Sequence, residues 1–354
     1  MLVKNKMKNL LIVGKGDTDY SNRNIKRMYD YAKTSNFNVQ SIDYSDTDLI
    51  SDSFFKTSDS INIINFFPFT FWNENCEVPL DSNLYGTSKK VFNMFNNYFF
   101  NFKKQLMDIF PDKKINWVID PDFAGLDRDK IATIKKLRES NVITSAQINY
   151  TSLDDILKNI TPERGVFIKC RYGAEGKGIT YLNSDRWKTN YGVTANGLSN
   201  QENNSKWEFS NITGRKDLLN QLLNSEVIVE KEIVSSDVIN NQKFDMRIYV
   251  INGSVPHSFL RYSDSKNIIT NFSQGAKISH NPEKFLSKSM IEDSYSQAII
   301  SAKAFNSNFL GVDVMFDNKD NKSRVVEVQT FTDFPDIRKF DLAKYFISEY
   351  SKSC

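Results

Sequence analysis

The chain has 354 residues, of which 40% are hydrophobic and 25% charged, and its formal net charge at pH 7 is +3. This length predicts two or three domains with cores large enough to fold without disulfide bonds or a structural metal. The composition excludes disulfide-rich miniproteins, collagen-like fibres and wholly disordered chains, and the even charge balance gives no reason to expect nucleic acid as a partner. The three cysteines are far apart and form no zinc motif.

The apolar stretches of the sequence are too short for a membrane span. The most apolar one, 61–72, is interrupted by Asn62, Asn65 and Pro68, and it falls short of the ~20 residues that a spanning helix needs. The amino-terminal region lacks the apolar core of a secretory signal. We therefore expect a soluble, cytoplasmic protein with no membrane partner, and we interpret 61–72 as a buried strand in preference to the lining of a substrate pocket.

The first hundred residues predict a parallel α/β unit. Strand candidates at 10–13, 37–44 and 61–67 are separated by polar segments of helix length, which is typical of strands joined by crossover helices. Ser21 or Asn22 is the expected cap of the first helix. The GKG sequence after the first strand lacks the rest of a dinucleotide or P-loop fingerprint, so we interpret it as a plain turn.

The remaining two thirds of the chain predict further strands and two helices. The strands are expected at 115–119, 166–169, 179–182, 227–230, 247–251, 311–316 and 324–329, and the helices at 129–140 and 290–305. The segment 142–149 looks extended. Residues 188–213 are rich in Asn, Ser, Gly and Thr, which indicates a mobile loop.

A glycine-rich loop follows the predicted strand that ends at Lys169. Three glycines would let the backbone approach phosphate oxygens, and Lys177 within the loop would add a second positive charge. A strand rather than a helix follows the glycines, so the segment differs from both the Rossmann fingerprint and the P-loop. A plain glycine-rich hairpin explains this segment equally well. Cys170 would point to the opposite strand face and belong to the core.

Two carboxylates lie in apolar strands near the carboxyl terminus. Asp313 is in the first strand and Glu327 in the second, and Gln329 shares the strand face of Glu327. Unpaired buried carboxylates are costly, and a divalent cation with hard oxygen ligands, such as Mg²⁺, would compensate them. The alternative is a pair of ordinary carboxylates that face solvent.

A third group of polar residues lies between these two segments. Asp245 and Arg247 share one strand face, and Arg261 and Asn271 follow. Arginines that converge near a metal and a phosphate loop would stabilise charge on a transferring phosphoryl group or an acyl-phosphate. The alternative is a structural ion pair on a solvated sheet.

The order and spacing of these segments resemble the ATP-grasp superfamily, and most closely the branch of ribosomal-protein glutamate ligases and glutathione synthetases. The resemblance covers about 115–335, and it implies an α/β fold in which an N-terminal Rossmann-like αβ domain precedes a two-lobed ATP-grasp. The implied domains are 1–113, 114–226 for the central lobe and 227–354 for the C-terminal lobe. The matching segments are 129–137, 166–179, 227–233, 244–250, 311–314 and 325–329.

The resemblance also implies which residues bind ATP. Two lysines would hold the α and β phosphates, the glycine-rich loop would close over the triphosphate, a hinge would read the adenine through its backbone, and a carboxylate would bind the ribose. In chain order these residues are Lys130, Lys169, Gly173, Gly176, Lys177, Gly178, Glu230, Lys231, Ile233 and Asp237.

The implied metal ligands and catalytic residues lie further along the chain. Two Mg²⁺ ions would be held by Asp313, Glu327 and Gln329, and the catalytic residues would be Arg247, Arg261 and Asn271. The family usually has asparagine where this chain has Gln329, and the extra methylene moves the amide oxygen by about 1.5 Å. The strand or the metal must shift, or a water must intervene. Asp333 and Asp336, just beyond, would compensate or contact substrate.

The activity implied by the resemblance is ATP-dependent carboxylate–amine ligation through an acyl-phosphate, with release of ADP and phosphate. The substrates would be a small carboxylate and an amine, with a peptide or a sugar acid as further acceptors, and the superfamily suggests a homodimer. Neither His257 nor His280 belongs to a credible catalytic triad. A small-molecule kinase and a non-catalytic nucleotide-binding protein remain open as alternatives.

Overall fold

The computed structural model of the chain describes residues 7–77, 83–201, 207–235, 239, 242–270 and 275–352. This part of the chain forms sixteen strands and nine α-helices, arranged as three sheets of four or five strands and one small hairpin. None of the described helices has the length and the apolar character needed to cross a bilayer.

The N-terminal domain is a four-stranded parallel sheet with the order β2–β1–β3–β4. Its apolar strand residues are buried between helices, and α4 adds an aromatic stripe at helical spacing, Phe95, Phe99 and Phe102. Thr18 caps α1 in place of the predicted Ser21 or Asn22, because its side chain accepts a hydrogen bond from Ser21 N at 3.1 Å. The elements are β1 Lys8–Val13, α1 Asp19–Thr34, β2 Phe37–Ile42, α2 Ser53–Thr57, β3 Ser60–Asn65, α3 Phe69–Asn75, α4 Lys89–Ile109 and β4 Lys114–Trp117.

The central lobe is a five-stranded antiparallel sheet with the order β10–β7–β6–β5–β11, covered by α6 and α7. The glycine-rich loop connects the antiparallel strands β5 and β6, so the predicted strand–loop–strand arrangement is present. The elements are α5 Lys130–Glu139, α6 Leu153–Leu157, β5 Val166–Cys170, β6 Ile179–Leu182, β7 Trp187–Thr189, β8 Gly192–Thr194, β9 Gly197–Ser199, β10 Ser210–Asn211, α7 Lys216–Leu223 and β11 Val227–Lys231.

The prediction of a mobile loop over 188–213 is wrong for the described part of that segment. It contains the β8–β9 hairpin and β10, which pairs with β7. Tyr191 and Trp207 are buried in the central-lobe core and explain this order, since Trp207 packs against Tyr191 and Tyr85. The polar composition of the segment gave no indication that these two aromatic residues are buried.

The C-terminal lobe is a second five-stranded antiparallel sheet, with the order β14–β13–β12–β15–β16. Helix α8 covers one face of this sheet, and the other face is turned to the central lobe. The last helix, α9, leaves the lobe and packs against α1 of the N-terminal domain. The elements are β12 Gln242–Ile251, β13 Ser254–Asp264, β14 Lys277–Ser279, α8 Lys288–Ala304, β15 Phe309–Phe316, β16 Ser323–Gln329 and α9 Leu342–Lys352.

Strand pairing moves two elements across the predicted domain boundaries. β4 was expected to open the central lobe, but it pairs with β3 of the N-terminal sheet, and β11 was expected to open the C-terminal lobe, but it pairs with β5. We infer that the boundaries lie after β4 and after β11. The segment 142–149 is extended as predicted and joins the two lobes, because Thr144 bridges Val325 and Gln147 bridges Glu230.

Candidate active site

A cleft of about 1200 Å³ lies between the two grasp lobes and opens towards α3 of the N-terminal domain. The alternation of β12 determines which side chains reach it. Phe244, Met246, Ile248 and Val250 belong to the core beneath the sheet, whereas Lys243, Asp245, Arg247 and Tyr249 line the cleft. Six residues of strand span about 20 Å, so β12 orders the cleft from an end near Lys243 to an end near Tyr249.

The end of the cleft near Lys243 is built on β5 and β11. Lys169 forms an ion pair with Glu230 at 2.6 Å, and Ser145 donates a hydrogen bond to the other Glu230 oxygen at 2.7 Å. Burial raises the pKa of Glu230, but Lys169 and Ser145 outweigh it and leave the pKa below its usual range. We predicted a backbone role for Glu230, and the structure adds that its side chain is the buried partner of Lys169.

Three other predicted nucleotide-binding residues border the same end. Lys231 and Ile233 line the cleft on the strand and turn that follow Glu230. Lys130 opens α5 and donates a hydrogen bond to the carbonyl of Gly173. The structure therefore brings these predicted residues together around one end of the cleft, while their roles stay predictions. Asp237, the predicted ribose ligand, lies outside the described residues.

Lys243 and Glu232 form a second ion pair at this end, at 3.2 Å, which the sequence analysis missed. Glu232 also accepts hydrogen bonds from the hydroxyl of Tyr181 at 2.7 Å and from Gly165 N at 2.9 Å. Burial lowers the pKa of Lys243. The sequence indicated one member of this pair, because Lys243 precedes Asp245 and Arg247 at the two-residue spacing of one strand face.

The glycine-rich loop packs directly on Cys170. Gly176 and Gly178 adopt positive φ angles of 71° and 69°, and a Cβ on Gly173 would lie 2.2 Å from the Cys170 sulfur. Cys170 is buried, as expected. The ammonium group of Lys177, which is predicted to add positive charge for phosphate, forms ion pairs with Glu77 and, at 3.1 Å, with Glu175. Its phosphate-binding role stays a prediction.

The middle of the cleft holds a buried network of two arginines and two aspartates. Arg247 forms a bidentate pair with Asp313, with one contact at 3.0 Å, and Arg261 forms a bidentate pair with Asp245 at 2.7 and 3.0 Å. Arg261 also contacts Asp313 at 2.8 Å and so links the pairs. Burial raises the pKa of Asp313, but the two arginines outweigh it and lower the pKa to about 2.

Glu327 lies directly across from Asp313, on the neighbouring strand. A β-bulge on β16 shifts the register there, so that Val326 and Glu327 both line the cleft, and Gln329 follows on the same side. Within the described ranges, the Glu327 carboxylate has no hydrogen-bond or ion-pair partner. Asn271, the third predicted catalytic residue, lies outside them.

The donors around Glu327 fit magnesium. Mg²⁺ prefers hard oxygen ligands, and Asp313, Glu327 and Gln329 present two carboxylates and one amide oxygen. Within the described ranges no cluster of three His, Cys, Asp or Glu that could hold a metal is present. The role of Gln329 as the third ligand stays a prediction. Asp333 and Asp336 also border the cleft, and Asp336 pairs with Arg338 at 2.6 Å.

The end of the cleft near Tyr249 is lined by aromatic side chains, which corrects the prediction for 61–72. The strand there ends at Asn65, and Phe67, Phe69 and Trp72 line the cleft, where Trp72 also belongs to the buried core of the N-terminal domain. The chain turns at Pro68, where the carboxylate of Asp17 accepts hydrogen bonds from the first two amides of α3 at 2.7 Å. The pocket interpretation was therefore the better one for the second half of that segment.

Comparison with solved structures shows the fold. A Chryseobacterium gregarium RiPP-associated ATP-grasp ligase, in complex with ADP and a leader and core peptide, is 12% identical, with a TM-score of 0.57 over 98% of each chain. The ATP-grasp ligase PsnB with a minimal precursor is 11% identical, with a TM-score of 0.56 over 97% of this chain and 98% of that one. D-alanine–D-alanine ligase from Bacillus anthracis is 13% identical, with a TM-score of 0.53 over 98% and 94%.

These likenesses confirm the predicted two-lobed ATP-grasp fold behind an N-terminal αβ domain. None of the curated proteins matches the chain. The model of one family, described as YheC/D-like ATP-grasp, matches residues 123–319, which is more than half of the sequence. The recognition of the superfamily from its motifs is confirmed, and the chain belongs to the YheC/D-like ATP-grasp family.

Proposed function

We propose that this protein is an ADP-forming ligase that uses Mg-ATP to join a carboxylate to an amine. One observation carries the proposal. In a single cleft, the carboxylate of Glu327, which has no partner among the described residues, lies across from Asp313 and beside two arginines fixed by ion pairs. The ion pair of Lys169 with Glu230 lines the same cleft. Hard oxygen donors and fixed cations side by side are what phosphoryl transfer from ATP requires.

The reaction would proceed in two steps. A substrate carboxylate oxygen attacks the γ-phosphorus, the bond between that phosphorus and the β–γ bridging oxygen breaks, and an acyl-phosphate and ADP form. The amine nitrogen then attacks the acyl carbon, the carbon–oxygen bond to phosphate breaks, and the nitrogen loses a proton as the amide forms. Neither step needs a nucleophile from the protein, so alignment and charge neutralisation account for catalysis.

The side chains of the cleft would divide this task. Lys169 would neutralise phosphate charge while Ser145 keeps Glu230 hydrogen-bonded, and Arg247 and Arg261 would face the charge that develops on the transferred phosphoryl group. Asp313, Glu327 and Gln329 would hold magnesium, which supplies charge neutralisation at the phosphates when bound.

The neighbours suggest the range of substrates. PsnB has been solved with precursor peptides, and another neighbour is described as the D-cycloserine synthetase DcsG. We infer a small carboxylate and an amine as substrates, with a peptide as a further acceptor class. Two magnesium ions, a sugar-acid acceptor, a homodimer and a cytoplasmic location stay predictions.

A coupled ADP-release assay with Mg-ATP tests the proposal. Pools of carboxylates and amines are offered separately and together, and we expect ADP only when both are present. ADP formed together with a phosphorylated product and without an amine would identify a kinase. Binding of Mg-ATP with no ADP from any pool would favour a non-catalytic nucleotide-binding protein.

A further inference from the structure

The far end of the cleft has an apolar wall built by two parts of the chain. Phe67 is its centre, with ring-centroid distances of 4.9 Å to Phe69, 5.8 Å to Trp72 and 5.6 Å to Phe331. Phe334 completes the wall beside Phe331. We call these five rings the aromatic subsite. When the apolar atoms of a ligand cover apolar surface in an open cleft, the free energy falls, because that surface is removed from water.

Arg128 lies against this wall. Its guanidinium carbon is 5.2 Å from the ring centroid of Phe67 and 5.3 Å from that of Trp72, which is the range of cation–π contacts. Its side chain is 15% exposed and lines the cleft. The rings therefore hold the guanidinium group in place before any ligand binds.

The charge of Arg128 is poorly balanced by the described residues. Its ion-pair contact there is to Asp127 at 3.8 Å, and Asp127 already accepts a hydrogen bond from Thr330 N at 3.0 Å. The buried Nε atom of Arg128 has no hydrogen-bond partner in the part of the chain that the structure describes.

Five other cations that face the cleft are paired more closely. Lys169, Lys177 and Lys243 each contact a glutamate at 3.2 Å or less, and Arg247 and Arg261 are held by aspartates. Lys231 also lines the cleft without an ion pair among the described residues, but it lies at the end near Lys243. At the aromatic end, Arg128 is a cation that an incoming anion can bind without displacing a close carboxylate. An anion there would meet both donors and apolar rings.

We propose that the aromatic subsite and Arg128 bind the carboxylate of a substrate whose neighbouring group is aromatic or large and aliphatic. This inference rests on the proposed ligase function and specifies its substrate class. Arg128 binds the carboxylate, and the rings cover the apolar group. The end of the cleft near Lys243, where we propose that ATP binds, is called the nucleotide end. Since β12 places Tyr249 about 20 Å from Lys243, the subsite lies beyond this end and is compatible with bound ATP.

The test is calorimetric titration of the protein in the presence of Mg²⁺ and AMPPNP, with three related probes. N-acetylphenylalanine is expected to bind at least about tenfold more tightly than N-acetylglycine, because the ring is buried on binding. It is also expected to bind at least about tenfold more tightly than N-acetylphenylalaninamide, which has the ring but no carboxylate.

Arg128→Met should remove the preference for the acid over the amide and keep the preference for the ring. Lys136→Met is the matched control, because the Lys136 ammonium lies 4.7 Å from the Phe123 ring and does not line the cleft. It should retain both preferences. If Arg128→Met does not fold, as judged by thermal unfolding, the two preferences of the unmodified protein decide the question alone.

Equal affinity for the acid and the amide, or for the phenylalanine and glycine probes, overturns the inference. So does a folded Arg128→Met variant with unchanged preferences. AMPPNP binding is first measured in a separate titration of the same preparation. Its absence would contradict the proposed function, whereas intact AMPPNP binding without the preferences contradicts the substrate class alone. A single turnover with Mg-ATP and hydroxylamine then identifies the role of the bound carboxylate. ADP forms if this carboxylate is the one that is activated, and no ADP forms if it belongs to the amine substrate.

Discussion

The nucleotide end and the arginine–aspartate network face the same cleft but hold their charges differently. At the nucleotide end, Lys169 contacts one glutamate and its side chain is 21% exposed. In the network, Arg247 is only 5% exposed and makes a bidentate pair with Asp313, which a second arginine also contacts. One end has a cation with a single, accessible partner, and the middle has cations fixed on several sides.

This difference indicates which charges move when substrate binds. Under the proposed function, Lys169 would exchange Glu230 for phosphate while Ser145 still hydrogen-bonds the glutamate. The network arginines are already fixed by aspartates, so under the proposed function they would present positive charge without reorganising as the transition state forms. Glu327 differs from both, because its carboxylate has no hydrogen-bond or ion-pair partner within the described residues, and we propose that it binds magnesium.

The largest effect should come from breaking the network. Arg261→Met would leave Asp245 buried without its bidentate partner, and we expect the free energy of unfolding to fall by about 3–5 kcal/mol. Urea denaturation measures it. The control is Arg215→Met, which removes a surface pair with Asp217 and should leave the free energy of unfolding nearly unchanged. Similar losses in both variants would show that the network is not specially fixed.

Glu327→Gln should separate catalysis from stability. Removal of an unpaired carboxylate should change the free energy of unfolding by less than about 0.5 kcal/mol, while ADP formation falls roughly 10²–10³-fold. Steady-state kinetics and urea denaturation on the same preparation measure both. The control Asp320→Asn removes an exposed pair with Arg324 at the turn before β16 and should alter neither quantity by more than twofold or about 1 kcal/mol. A stability loss like that of Arg261→Met would mean that Glu327 is structural.

Lys169→Met should weaken Mg-ATP binding, since one charge-assisted contact of about 1.5–3 kcal/mol is removed. That corresponds to a dissociation constant roughly 10–100-fold higher, measured by calorimetric titration. Lys135→Met, on the exposed face of α5, should bind as the unmodified protein does. Unchanged affinity in Lys169→Met would contradict the idea that this lysine exchanges glutamate for phosphate.

The two histidines add a smaller, pH-dependent effect at the far end of the sheet. Burial and neighbouring His280 lower the pKa of His257 to about 4, so the folded protein keeps this ring neutral while the unfolded chain protonates it near 6.5. The unfolded state binds more protons in this window, so stability should fall as the pH drops from about 6.5 to about 4.

We expect this loss to be about 1–2 kcal/mol, because the ring is only partly shielded from solvent. Urea denaturation between pH 7 and pH 4 measures it, and His257→Phe, which preserves stacking on Phe340, should reduce the slope. If the free energy of unfolding of His257→Phe falls with pH as steeply as that of the unmodified protein, a group other than His257 causes the pH dependence.

Much of the fold and some of the site could be predicted from local patterns. The apolar runs located β1, β5, β6 and β15, and the two-residue alternation placed Asp245 and Arg247 on one face. Glu327 and Asp313 proved to be direct cross-strand partners, which agrees with the predicted shared site. These features depend on a few neighbouring residues, and short-range spacing encodes them.

The rest depends on contacts between distant residues. The pairing of Lys177 with Glu77 joins positions one hundred residues apart, and the pairing of β11 with β5 spans more than fifty. The bulge at Val326 interrupts the two-residue alternation of side chains between the two faces of the sheet, whereas the sequence of β16 suggests that this alternation continues. An aromatic segment such as the one around Phe67 has the same composition whether it lies in a core or beside a cleft. Only the position of Pro68 and the packing around it show that this segment lines the cleft.

The central claim is that the cleft activates a carboxylate with ATP. It is tested most directly by incubating the protein with Mg-ATP, hydroxylamine and a pool of carboxylates that includes N-acetylphenylalanine. Our account predicts ADP and a hydroxamate in equal amounts, both dependent on the carboxylate and both lost in Glu327→Gln. ADP without hydroxamate, or no ADP from any carboxylate while Mg-ATP binds, would contradict it.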